Sequence, residues 1–269
     1  MEDATSREFV RALARGLAVI ETFEGLQGAA SLSEIAARAN LSRGTVRRAL
    51  ITLQSLGYLS EDNGRFSLLP RALRLGYSYL SSQPLWSLAR PYVEEVHAQT
   101  GETTSLSVLD SGMIVYLIRI TASRLMHDKL TIGSRLPAYP ASMGRVLLAG
   151  FPEAELDRYL AQTEFKQLTP LTVIDPSRLR VLIAQARESG YAVNDQEMEL
   201  GLRSIAVPIK ARNGVTVAAL NIGASSVRTS YVEMEKNFLP VLRAAAEKIG
   251  ELIAHSGLNP AFPRLTENA

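Results

Sequence analysis

The chain has 269 residues, 46% of them apolar and 21% charged, the balance of globular material with room for two domains. It carries no cysteine, which excludes disulfide staples, thiolate catalysis and cysteine-built zinc or iron–sulfur sites. The formal net charge of +2 lies wholly in residues 1–81, where 10 Arg and 8 acids stand without a Lys, while the other 19 basic and 19 acidic residues cancel.

No run reaches the roughly 18 apolar residues that a membrane-spanning helix needs, and Met1–Ser6 is polar and acidic. A soluble, cytoplasmic protein without a membrane partner is the expectation. From Phe9 to Phe23, Val10, Leu13, Leu17 and Ile20 follow the three-and-four spacing of an amphipathic helix. Ser31 and Glu34 form a capping box for a short helix to about Ala39. Asn40-Leu41-Ser42 then turns into a third helix, whose Val46, Leu50 and Leu53 point inward. Arg43, Thr45, Arg47 and Arg48 stay on or near its open face, and no acid interrupts the run from Arg38 to Arg48. Such a run also suits a solvated helix face. After Gly57, two short alternating segments flank Asn63-Gly64, a hairpin signal. Three helices, a tight turn and a hairpin are the order of a winged helix-turn-helix, the alternative being a small helical module that binds protein.

Pro70 to Ser82 reads as a further helix with Leu73, Tyr77 and Leu80 in line, and Ser81-Ser82-Gln83-Pro84 marks a boundary. An α+β domain follows. Its expected elements are a helix from Leu85 to Thr100, strands Thr103–Leu109 and Met113–Ile120, and helices Met143–Ala149, Glu153–Gln162 and Pro176–Glu188. Strands Ser204–Ile209 and Val215–Ile222 come next, then one long helix Tyr231–His255 that ends at Gly257.

Enzyme signatures are thin. There is no G-x-G, and Pro140-Ala141-Ser142-Met143-Gly144 lacks the first glycine of a nucleophile elbow. His97, His127 and His255 are widely separated, so neither a metal site nor a catalytic base is expected, and no cofactor. The start of the helix at Ser142 either binds an anionic effector through free backbone N–H groups or is simply capped by Ser142.

Three segments carry a resemblance: Phe9–Ile20, Leu136–Ala149 and Tyr191–Ile209. On these the chain resembles the IclR family of bacterial regulators from about Phe9 to Ser256, closest to the branch that controls catabolism of aromatic acids. The resemblance implies an α+β protein with an N-terminal winged helix-turn-helix, a linker helix and a C-terminal GAF-like α/β effector-binding domain, assembled as a dimer or a dimer of dimers. The corresponding spans are 1–69, 70–83 and 84–257, with a tail at 258–269. In keto-acid-binding members the effector positions fall, by spacing, on Ser142, Met143, Asn194 with Asp195 beside it, Ser204, Asn221 and Gly223. Most of these differ here from the residues of those members, which implies a larger ligand in the same place.

Gly144 and Arg119 complete the expected effector set. Arg135, Arg145 and Arg203 are further candidates for a carboxylate, with Tyr116 and Tyr139 to flank a ring. The expected DNA contacts are Ser42, Arg43, Thr45, Val46, Arg47, Arg48 and, at the wing, Arg65. The expected partners are a double-stranded operator, a small aromatic or dicarboxylic acid, RNA polymerase and a second copy of the chain. The rival readings are a hydrolase-like enzyme using Ser142, Asp195 and one histidine behind a docking module, and a DNA binder whose second domain only assembles it.

Overall fold

The computed structural model describes residues 8–26, 28–82, 85–122 and 130–256. Met1–Ser6, His127, Gln83, Pro84, Gly257 and the tail 258–269, all named above, lie outside them. The chain divides into two units, one ending at Ser82 and the other beginning at Gln83.

In the first unit, α1 (Arg11–Glu21), α2 (Leu32–Ala39) and α3 (Arg43–Ser55) precede the hairpin β2 (Leu59–Asp62) and β3 (Arg65–Leu68). The Ser31 hydroxyl accepts from the Glu34 N–H at 3.3 Å and the Glu34 carboxylate accepts from the Ser31 N–H at 2.7 Å, so the anticipated capping box opens α2. Asn40, left-handed at φ 50°, closes α2, and Ser42 caps α3. Asn63 and Gly64 both have positive φ, 50° and 76°, the pair a type I′ hairpin turn requires. Val19, Ile35, Val46, Leu50 and Leu59 make the core.

Two features depart from expectation. A two-residue strand, β1 (Ala30–Ser31), pairs with β3, and two residues are too few to show alternation. The apolar stripe of α1 is also split. Val19, Ile20 and Phe23 turn toward the core, whereas Phe9, Val10, Leu13 and Leu17 face out, Leu13 with 62% of its surface exposed. After a 3₁₀ turn at Pro70–Ala72, α4 (Leu73–Ser82) likewise exposes Leu73, Leu75, Tyr77 and Tyr79.

The second unit is built on a six-stranded antiparallel sheet of order β6-β5-β4-β9-β8-β7. Its strands are β4 (Thr103–Asp110), β5 (Met113–Ile120), β6 (Arg135–Pro137), β7 (Ala192–Asp195), β8 (Leu202–Lys210) and β9 (Thr216–Ser225). The short strands β6 and β7 are additions to the sequence reading. Alternate residues divide the two faces. Ile205, Val207, Leu220 and Ile222 are buried on one, where α5 (Leu85–Thr100) and α10 (Leu239–His255) pack on each other and on the sheet. Ala206 and Ala219 belong to the other, beneath α6 (Ser142–Leu148), with α7 (Glu153–Gln162) and α8 (Pro176–Ser189) outside it.

Gly144 is required by this second packing: a Cβ there would fall 1.9 Å from the Ala138 carbonyl oxygen. The long C-terminal helix is interrupted. A single turn, α9 (Tyr231–Glu233), and a π segment (Met234–Phe238) precede α10. Pro240 has no N–H to donate back to the preceding turn, and the ladder widens there.

Candidate nucleic-acid interface and ligand site

Helix α3 begins at Ser42, whose hydroxyl accepts from the Thr45 N–H at 3.3 Å and shares a hydrogen bond with the Thr45 hydroxyl at 3.0 Å. From this fixed start the 3.6-residue period sorts the rest. Val46 has no exposed surface and cannot touch DNA; its spacing to Leu50 and Leu53 places it in the core, and it leaves the contact set. Arg43, Arg47 and Arg48 are exposed, with no ion pair or side-chain hydrogen bond among the described residues. Three guanidinium groups on the open side of a capped helix form a positive surface of the width a groove admits.

Arg65, its side chain half exposed, is engaged within its own domain. Its guanidinium turns back on its own domain, donating to the Ala29 carbonyl at 2.5 Å and lying 3.7 Å from Glu34. It braces the wing against α2. Arg38 is tied in a similar way, to the Glu24 carbonyl at 2.6 Å.

In the second unit the strand register brings the sequence candidates together. One row across the sheet reads Thr103, Gly223, Ser204, Asn194, and the next reads Arg119, Ser105, Asn221, Ala206. These positions lie two apart along each strand and so share a face. It is the α6 face, because Ser142 and Ser204 share a hydrogen bond of 2.8 Å and the Ser107 hydroxyl donates to the Met143 sulfur at 3.1 Å. Ser105 and Ser107 were missed in the sequence, although two serines two apart in an otherwise apolar strand are a signal for a polar patch on one face.

Partners then sort the four candidate arginines. Arg135 donates to Asp110 at 2.6 Å, Arg203 holds Asp195 through two bonds of 2.9 and 2.8 Å, and Arg145, 3% exposed, donates to Glu197 at 2.7 Å. Asp195 therefore belongs to an outward-facing ion pair, off the α6 face, and Arg203 holds its carboxyl below the usual range. Arg119 stands on the polar rows. Its Nη1 donates to the Ser105 hydroxyl at 3.0 Å and its guanidinium stacks 5.3 Å over the Tyr116 ring. Burial disfavours its charged form. Burial also pushes Tyr116 above the usual phenol range, against the pull of Arg119. Beside them Asn221 is 7% exposed, and its side-chain oxygen has no hydrogen-bond partner among the described residues. A buried acceptor left open marks a place for a donor.

The far wall is fixed by a buried network. The Asn194 amide donates to the Pro140 carbonyl and accepts from the Glu197 N–H at 3.2 Å, while Glu197 also accepts from the Val173 N–H at 3.0 Å. Arg145 closes the loop by donating to the Tyr139 carbonyl at 3.1 Å. This network, not a ligand, occupies Arg145. Among the described residues, the Ser142 hydroxyl is bonded to that of Ser204, and His97 and His255 bond to the backbone carbonyls of Glu102 and Glu251. Among the described residues no group of three or more His, Asp or Glu is placed to hold a metal, and no helix is long and apolar enough to cross a membrane.

A capped, arginine-faced third helix with a braced wing, followed by a sheet domain with a buried polar face, fits a DNA-binding regulator with a second, sensory domain. The chain belongs to the IclR family: residues 12–63 match the IclR helix-turn-helix domain and residues 77–251 match the bacterial transcriptional regulator IclR C-terminal domain. It is 42% identical to the Pca regulon regulatory protein of Pseudomonas putida, over 90% of this chain and 84% of that protein. It is 34% identical to the p-hydroxybenzoate hydroxylase transcriptional activator of Acinetobacter baylyi, over 94% and 95%. Among solved structures it is similar to an IclR homologue from Microbacterium hydrocarbonoxydans complexed with 4-hydroxybenzoate, at 30% identity and a TM-score of 0.77, covering 91% of this chain and all of the other. These relatives are regulators, and nothing in them supports the hydrolase reading.

Proposed function

We propose that this regulator controls genes of aromatic acid catabolism, reading its operator with α3 and sensing a small aromatic or dicarboxylic acid on the polar face of its sheet. Arg119 carries the ligand reading. A guanidinium stacked on a phenol ring, in register with a serine hydroxyl and an unsatisfied amide oxygen, matches a benzoate bearing a hydroxyl. The carboxylate meets Arg119, the ring lies along Tyr116, and the hydroxyl donates toward Asn221. Ser142, Met143, Ser204 and Gly223 shape the floor, and Asn194 fixes the wall. That a similar protein is complexed with 4-hydroxybenzoate supports this class.

Ser42, Arg43, Thr45, Arg47 and Arg48 are assigned to the operator. The outward apolar residues of α1 and α4 support self-association, since stripes of this kind are normally covered in a working protein. A two-fold assembly would also match paired half-sites. Cytoplasmic location and contact with RNA polymerase belong to the same reading.

Thermal shift tests the ligand assignment with 4-hydroxybenzoate, benzoate and succinate. A ligand at a hundred times its Kd stabilises the folded state by about 2.7 kcal/mol. 4-Hydroxybenzoate is expected to raise Tm in the native chain and to lose that effect in Arg119→Ala. Equal flat responses to all three acids in the native chain would overturn the assignment.

A further inference from the structure

The hairpin that follows α3 carries a charge pattern opposite to that of the helix. Glu61 and Asp62 end β2, and both are exposed, with no ion pair or side-chain hydrogen bond among the described residues. Register sets Glu61 opposite Phe66 and Asp62 opposite Arg65. The Arg65 guanidinium lies 3.7 Å from the Glu34 carboxylate, so its charge is already matched. Around the Asn63-Gly64 turn the surface is therefore net negative, whereas Arg43, Arg47 and Arg48 make α3 positive.

Leu59 opens β2 in the core beside Val46 and Leu50 of α3. Asp62 stands three residues further on, about 10 Å along an extended strand. The screening length is also about 10 Å at 0.1 M salt, so phosphates drawn in by the arginines of α3 feel both carboxylates. Phosphate contacts supply the sequence-independent part of DNA affinity, and a hairpin built to make them would carry the opposite sign at its tip. A specific complex has one pose, fixed by α3 in the groove. On other sequences the domain samples many, and those that press the wing onto the backbone are the ones that two carboxylates penalise.

We propose that Glu61 and Asp62 are specificity determinants of DNA recognition: by repelling phosphates they keep the wing tip from gripping an arbitrary duplex and leave discrimination to α3. They act by weakening binding to the wrong sequence rather than by contacting the right one. This role rests on the assignment of α3 to the operator.

Two duplexes probe the full chain by fluorescence anisotropy: one selected by the native protein from a random pool, and one with that sequence scrambled. With Glu61→Gln and Asp62→Asn combined, the scrambled duplex should bind about fivefold more tightly at about 50 mM salt, and the selected duplex should gain less, so that the ratio of the two affinities falls. Glu61→Lys with Asp62→Lys should add phosphate contacts on the scrambled duplex, steepening the fall of log affinity with log salt by about 0.9 per contact. Equal gains on both duplexes, or no gain on either, would overturn the proposal. So would weaker binding of the selected duplex in the Gln/Asn variant, because the carboxylates would then be reading bases. Arg47→Ala combined with Arg48→Ala separates the two assignments. If it leaves the selected duplex bound as before, α3 is not the reading element and the wing role falls with it; if it weakens binding while the wing variants change nothing, the wing role alone fails.

Discussion

Replacing Glu197 with Ala is the sharpest single test of the buried network beside the polar rows. Glu197 and Arg145 have side chains 9% and 3% exposed and meet at 2.7 Å. Removing the carboxylate leaves a buried guanidinium without its counter-charge, a change that costs about 3–5 kcal/mol. The Val173 N–H loses its acceptor too, worth about 1–3 kcal/mol when buried, though the two terms overlap because one carboxylate oxygen serves both. A total of about 4 kcal/mol is expected from urea unfolding of the full chain followed by a probe of the second unit. Arg203→Ala, which breaks an ion pair whose carboxylate is half exposed and gives up the 2.6 Å bond to the Thr229 carbonyl, should cost about 1–2 kcal/mol. Replacing both buried partners at once, Arg145→Met with Glu197→Leu, should recover much of the loss. A Glu197→Ala loss no larger than that of Arg203→Ala would refute the reasoning, since burial would then not be what sets the value.

Arg47→Ala and Arg48→Ala should each weaken operator binding by about 1–3 kcal/mol if they read bases, with fluorescence anisotropy at fixed salt as the assay. Unchanged affinity in both would remove α3 from the interface. Val46→Ala should instead lower stability by about 2 kcal/mol, seen as an earlier unfolding midpoint. Asp195, held below its usual range by Arg203, and Glu34, held there by the Ser31 N–H, stabilise the fold above the unfolded carboxylate range of about 4. That contribution is lost as pH falls through their lower folded values, so Tm should drop below pH 4 more steeply in the native chain than in Asp195→Asn.

The first unit was legible because its signals are local. Ser31 with Glu34, Ser42 before α3 and Asn63-Gly64 each act within four residues, and all three took the expected form. Val46 shows the limit of a list drawn from position: its inward spacing was plain, yet it stood among the DNA contacts until burial removed it. The arginines of the second unit were not legible. Arg119, Arg135, Arg145 and Arg203 look alike along the chain, and only partners as distant as Glu197, 52 residues from Arg145, tell them apart. Arg65 and Glu34 are a comparable case in the first unit. The outward stripe of α1 reads like a core face, since apolar periodicity records that a surface is covered but not by which molecule.

The irregularity between β4 and β5 has a bearing on how such a sensor can change. Leu106 pairs with Ile118 and Ser107 with Tyr116, so Leu117 is the extra residue of a bulge. By that one residue Tyr116 and Arg119, three apart, come to stand on the same side of the strand. Lengthening or shortening β5 by a residue there would send the guanidinium into the hydrocarbon layer under α5 and α10. Exchanging side chains at a constant strand length is the change that keeps Tyr116 and Arg119 on that side.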